Sequence, residues 1–171
     1  MKYLFLVLFF CLVVQQATAQ STIPKAGELP ANVGDIAYNA KTDRPDFFLC
    51  DQGPIYWYYN VKASYEGGKP AIRQILLKHY LYKPTYRAIT GWITISFVIN
   101  CKGETDRFRT TQLDENYQKT SFPDFFTRQF EQGVRALNNW VPGTLHGGLP
   151  ANSYYYLTFR INDGKFIDFT P

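Results

Sequence analysis

The chain has 171 residues, 46% of them hydrophobic and 19% charged, with a formal net charge of +4. Those proportions exclude a disordered polymer, a collagen and a coiled coil, and they fit one globular domain. Lys and Arg are scattered along the sequence, so composition points to no polyanionic partner and to no nucleic acid. The 14 Phe, 13 Tyr and 3 Trp make 18% of the chain aromatic, which suits strands packed through rings.

Residues 1–19 read as a signal peptide. Lys2 supplies the positive start, residues 3–14 form an unbroken apolar run, and Ala17-Thr18-Ala19 sets small residues at alternate positions before the cut. The run is shorter than the roughly 20 apolar residues of a spanning helix, so no stable membrane span is expected. The product is expected to be periplasmic or secreted after cleavage near Ala19. Cys11 is a poor lipidation site, because Phe10 rather than a small residue precedes it. The mature chain then keeps two cysteines, Cys50 and Cys101. In an exported protein they are a candidate disulfide that would close a loop of about fifty residues and stabilise the fold by about 4 kcal/mol in the chain-entropy model. Free thiols are the alternative. Neither cysteine has a His or Cys neighbour at ligand spacing, so no metal site and no cofactor is expected.

Residues 20–41 (QSTIPKAGELPANVGDIAYNAK) hold two Pro and two Gly without apolar periodicity and read as an extended, mobile arm. Residues 55–62 (IYWYYNVK), rich in aromatic and β-branched side chains, read as a strand or an extended segment laid on the core. After Gly67-Gly68, Pro70 suits a first helical turn. Ile72, Ile75, Leu76, His79 and Tyr80 then recur at helical spacing, which predicts a short amphipathic helix with His79 at the edge of its apolar stripe. Residues 91–100 alternate Ile93, Ile95, Phe97 and Ile99 against Thr94 and Ser96, the clearest strand in the chain. Asn100-Cys101-Lys102-Gly103 is a turn, and residues 104–113 return as a more polar strand of a hairpin.

Ser121, Pro123 and Asp124 mark a helix start. Phe126, Phe130, Val134, Leu137 and Val141 continue as a stripe flanked by Phe125 and Trp140, so a long helix is predicted up to Pro142-Gly143. Residues 152–161 alternate Tyr155, Leu157, Phe159 and Ile161 against Tyr154, Tyr156, Thr158 and Arg160, a third strand. Asn162-Asp163-Gly164 is a turn signal, and residues 165–169 (KFIDF) form a brief fourth strand. The order predicts an α+β fold: a small antiparallel sheet of three or four strands, a long helix packed on one face, and a short helix before it.

Tyr65-Glu66-Gly67-Gly68, the Gly91 strand, the Gly103 turn, Trp140-Val141-Pro142-Gly143, Gly147 or Gly148, Pro150 and the Tyr154 strand occur in one order. Over residues 65–162 this arrangement resembles the C-terminal domain of TonB, in the form found in Bacteroidota. The sequence departs from that family at Tyr80-Leu81, where Tyr-Pro is usual, and in carrying two glycines at Gly147-Gly148. It is also expected to lack the inner-membrane anchor and the Pro-rich spacer of an energy transducer. Residues 1–19, 20–64 and 65–171 then divide into leader, N-terminal arm with aromatic extension, and TonB C-terminal-like domain. The resemblance implies a non-enzymatic, exported binding domain that recognises an extended segment of a TonB-dependent outer-membrane receptor by strand addition.

The implied binding residues are Tyr154, Tyr155, Tyr156, Leu157, Thr158, Phe159, Arg160 and Ile161, with Tyr154, Tyr156 and Arg160 sorting partners by side chain. Two arrangements stay open: a free edge along this strand, or residues 165–169 folded back onto it. Homodimers by edge pairing or tail swap are a further expectation. The rival readings are a glycan-binding module using Trp57, Tyr58 and Tyr59 or Tyr154 to Tyr156, and a small hydrolase with His146 assisted by Asp106, Asp114 or Glu115.

Overall fold

The structure, a computed structural model, describes residues 36–50 and 54–171. All of them belong to one unit, Gly34–Pro171. The expected signal peptide and most of the expected arm lie outside the described residues.

A two-residue strand β1 (Tyr56–Trp57) leads into a single helical turn α1 (Tyr58–Val61), a short strand β2 (Ser64–Tyr65) and the helix α2 (Gly68–His79). A hairpin of β3 (Gly91–Ile99) and β4 (Thr105–Asp114) follows, then the helix α3 (Asp124–Arg135). Short strands β5 (Trp140–Val141), β6 (Gly143–Thr144) and β7 (Pro150–Ala151) precede the long strand β8 (Ser153–Asn162) and its return β9 (Lys165–Thr170). The fold is α+β as expected. Its sheet has five strands and is mixed: β4, β3, β8 and β9 are successive antiparallel neighbours, while β1 lies parallel to the start of β8.

The alternation in β3 and β8 decides which face the helices take. Ile93, Ile95, Phe97, Ile99, Leu157 and Phe159 are fully buried on one face, against Ile72 and Leu76 of α2 and Phe126, Phe130 and Val134 of α3. Side chains of this kind contribute about 1.5–3 kcal/mol each on leaving water.

Two predicted elements end differently. The long helix stops at Arg135, six residues before the last position of its apolar stripe. Leu137 still enters the core from the turn beyond, but Trp140 and Val141 pair as β5 with β2, Tyr65 opposite Trp140. Trp140 is thereby wedged between Tyr65, Phe97 and Tyr155, at centroid distances of 5.0, 5.1 and 4.7 Å. Tertiary ring packing outcompetes one more helical turn. Likewise only Tyr56 and Trp57 of residues 55–62 are extended, and the rest coil into α1. Val61 of that turn presses on Gly143, where a Cβ would stand 2.1 Å from a Val61 methyl.

The far face of the sheet is partly covered by the segment that precedes β1. Ile36 and Phe47 join Val98 and Tyr154 in a second buried cluster, with Leu49, Ile55 and Trp57 packed on it. Polar ties hold that layer down. Nη1 and Nη2 of Arg109 each donate to the Asp43 carboxylate at 2.7 Å, and the Arg44 backbone N–H donates to Asp106 at 2.8 Å. The candidate disulfide is formed, with the Cα atoms of Cys50 and Cys101 5.8 Å apart. The described end of the expected mobile arm, from Ile36 onward, is therefore pinned to the sheet. The uncovered part of the face carries a transverse row of threonines, Thr111, Thr94, Thr158 and Thr170, one from each of β4, β3, β8 and β9. Among the described residues no helix is long and apolar enough to cross a membrane.

Candidate binding edge of the sheet

Residues 154–161, implied by the resemblance to accept a partner strand, all lie in β8. One side of β8 pairs with β3 from Ser153 opposite Ile99 to Ile161 opposite Gly91. The other side is the edge in question, and it is occupied in two pieces. At its start Tyr56 and Trp57 of β1 lie beside Ser153 and Tyr154. At its end β9 pairs with β8 from Thr158 opposite Thr170 to Asn162 opposite Lys165, with a register shift between Arg160 and Ile161. Of the two expected arrangements, the structure adopts the folded-back one.

Between these pieces Tyr155, Tyr156 and Leu157 have no strand opposite them on that side among the described residues. Tyr58 of α1 covers the interruption, its ring 4.4 Å from that of Tyr155 and 5.9 Å from that of Tyr156. Burial and the neighbouring tyrosines push the Tyr155 hydroxyl up to about 12, so it stays a neutral phenol. Desolvation raises Tyr58 as well. A cavity of about 130 Å³ opens at the gap, lined in part by Tyr65, Ile72, Tyr155, Leu157 and Phe169. Three buried polar atoms in this neighbourhood, Tyr65 Oη, Trp140 Nε1 and Ser153 Oγ, have no hydrogen-bond partner.

β9 is held from three directions. Phe166 and Phe169 are buried, with Phe166 ringed by Tyr80, Phe130 and Phe159 at 6.1, 5.8 and 5.8 Å. Its turn is anchored as well. The Gly164 N–H donates to Ile89 O at 2.7 Å, the Asp163 N–H donates to Thr90 Oγ1 at 3.1 Å, and the Tyr80 hydroxyl donates to Gly164 O. Gly164 sits at φ +70°, and an added Cβ would meet Tyr86 at 2.4 Å, so the position favours glycine twice over. From outside, Lys69 and Arg73 of α2 reach the Asp168 carboxylate at 2.9 and 3.3 Å. The hydrogen bond from Lys69 is the main reason the Asp168 carboxyl lies below its ordinary range.

Burial changes the roles expected within β8. Tyr154 belongs to the far-face cluster and is 8% exposed, and Tyr155, Leu157, Phe159 and Ile161 are core residues. Of the three side chains expected to sort partners, only Tyr156 and Arg160 reach solvent. Of the rings expected to form a glycan platform, Tyr154 and Tyr155 are buried and Trp57, Tyr58 and Tyr156 are half-buried, with Trp57 stacked on Tyr59 at an interplanar angle of 7°. Trp57 lies against Tyr154 and Tyr58 against Tyr155, leaving Tyr59 as the one that is largely exposed. His146 stands in the exposed loop between β6 and β7, in a concavity with Asn60 and Lys62. Asp106 is buried under Arg44, and Asp114 and Glu115 line a different concavity with Thr85 and Phe122. The structure does not bring these groups together. Among the described residues no three His, Cys, Asp or Glu side chains cluster as metal ligands.

Sequence reasoning missed Lys69, Arg73 and Asp168. Their only signal is an i, i+4 pair of cations on α2 and a lone acid in an apolar strand. It also missed the parallel pairing of β1. Comparison with protein-family models, with curated proteins and with solved structures finds no match to this chain.

Proposed function

We propose that this is an exported, non-enzymatic protein-binding domain of the TonB C-terminal type, which engages an extended segment of an outer-membrane receptor along β8. The reading draws on the motifs behind the resemblance. Tyr65-Glu66-Gly67-Gly68 leads into α2, Gly91 opens β3, Gly103 lies in the hairpin turn, and Trp140-Val141-Pro142-Gly143 runs through β5 and into β6. The observation that carries the proposal is the composite edge of β8: two short strands with an interruption at residues 155–157, beside a small cavity. An incoming strand gains continuous main-chain hydrogen bonds there if β9 gives way. Binding on this reading is strand exchange, not addition to a bare edge. Export rests on residues 1–19 and agrees with the Cys50–Cys101 bond.

The test is to mix the mature chain with peptides from the N-terminal segments of the organism's TonB-dependent receptors and to follow backbone hydrogen exchange. Binding that strips protection from residues 165–170 while β8 stays protected is the expected result. A chain lacking residues 162–171 should bind more tightly if it remains folded. No binding by either form, together with no self-association, removes the proposal.

A further inference from the structure

The contacts that hold β9 specify what can replace it. Lys69 and Arg73 stand four residues apart on α2, so they share one helix face, where two cations repel each other unless an anion lies between them. Asp168 is that anion, bonded to Lys69 Nζ at 2.9 Å and to Arg73 Nη1 at 3.3 Å. Arg73 Nη2 also donates to the backbone oxygen of Ile167 at 3.2 Å. The same two cations cover the flanking rings: Arg73 lies 5.2 Å from the centroid of Phe166 and Lys69 lies 5.2 Å from that of Phe169. One pair of side chains thus reads an aromatic residue, an acid two positions later, the aromatic residue after it, and a carbonyl between them. The Ile167 side chain enters none of these contacts and is exposed.

We propose that the segment accepted at the β8 edge carries the pattern of β9 itself, aromatic–any–acidic–aromatic, with its acidic side chain read by Lys69 and Arg73. This rests on the strand-exchange reading above and adds the partner's chemistry to it. Because both cations and Asp168 are about half exposed, the ion pairs add little to the stability of the fold. Their main effect is on which strand is chosen, since a neutral or basic residue at that position leaves two facing cations uncompensated.

The experiment uses the whole mature chain carrying Asp168→Ala, which loosens β9 without removing its rings. Two peptides, KFIDFT and KFIKFT, are titrated to millimolar concentration, the range in which a free strand competes with a short-tethered one. The acidic peptide should bind about tenfold more tightly than the basic one, and the difference should shrink at high salt. In a chain that also carries Lys69→Glu and Arg73→Glu the order should reverse. Equal binding of the two peptides, or a preference that survives the charge swap unchanged, overturns the acidic requirement and leaves strand exchange standing. No binding of either peptide, with protection of residues 165–170 unchanged, overturns both.

Discussion

The outer sides of β4 and β8 are protected by opposite means. Along β4, residues 105–111 have no strand opposite them on the outer side among the described residues. That edge is irregular instead. Two residues, Arg107 and Phe108, bulge opposite Phe97, and Arg107 takes the left-handed conformation at φ +58°. Arg107 and Arg109 add charge. Bulges and charges are the usual devices that stop a bare edge from pairing with another chain. Along β8 the ladder with β3 is regular and the side chains are mostly apolar, and here protection comes from covering strands. A bulged, charged edge is a poor template for another strand, whereas a regular strand under a cover is a good one once the cover is displaced.

The largest way to break this contrast is to remove a ring from the cover. Phe166→Ala should cost about 3–4 kcal/mol, the usual cost of emptying a buried phenylalanine site, read as a lower urea midpoint with residues 165–170 losing protection first. An unchanged midpoint would mean that β9 is not part of the core. On the other side of the sheet, Arg109→Ala removes the cation from Asp43, whose side chain is only 1% exposed and keeps hydrogen bonds from the Asn39 N–H and the Thr42 hydroxyl. The loss should be about 2 kcal/mol, less than for a fully buried pair because the arginine is one-third exposed.

That pair also predicts a pH dependence. The Arg109 hydrogen bonds hold the Asp43 carboxyl far below its ordinary 3.8. A depressed carboxyl contributes stability above its unfolded value and loses it as pH falls below that value. Wild-type stability should therefore drop on acidification below about pH 4 more steeply than that of Arg109→Ala, measured by urea titrations at pH 7 and pH 3. Gly164→Ala should cost about 1–3 kcal/mol, since it forces a side chain into a left-handed position against Tyr86, and it should loosen β9 before any other element. The smallest effect belongs to Asp168→Ala, which should change global stability by less than about 1 kcal/mol yet raise exchange within β9. A large global loss there would show that the surface ion pairs carry more of the fold than their exposure allows.

Much of this arrangement is legible from local pattern. The period-two alternation of β3 and β8 assigns the core face, and the Asn162-Asp163-Gly164 turn announces β9, because each signal needs only neighbours in sequence. The failures share one cause. Leu137, Trp140 and Val141 continue a helical period, but a ring cluster formed with Tyr65 and Tyr155 takes Trp140 away from the helix. Residues 58–61 have strand composition and yet turn helically, with Tyr58 packed on Tyr155 from a distant strand. Asp43 and Arg109 are 66 residues apart, and Lys69 and Asp168 are 99 apart. No spacing rule links such residues, so the ties that close both edges are visible only in three dimensions.

The bond between Cys50 and Cys101 has a consequence for damage. The two cysteines enclose β1, α1, β2, α2 and β3, along with the 3-10 turn Pro84–Tyr86. A single protease cut anywhere inside that span opens the backbone without freeing either fragment, which stay joined through sulfur. A nicked molecule would keep its mass on a non-reducing gel and separate into two bands only after a thiol is added.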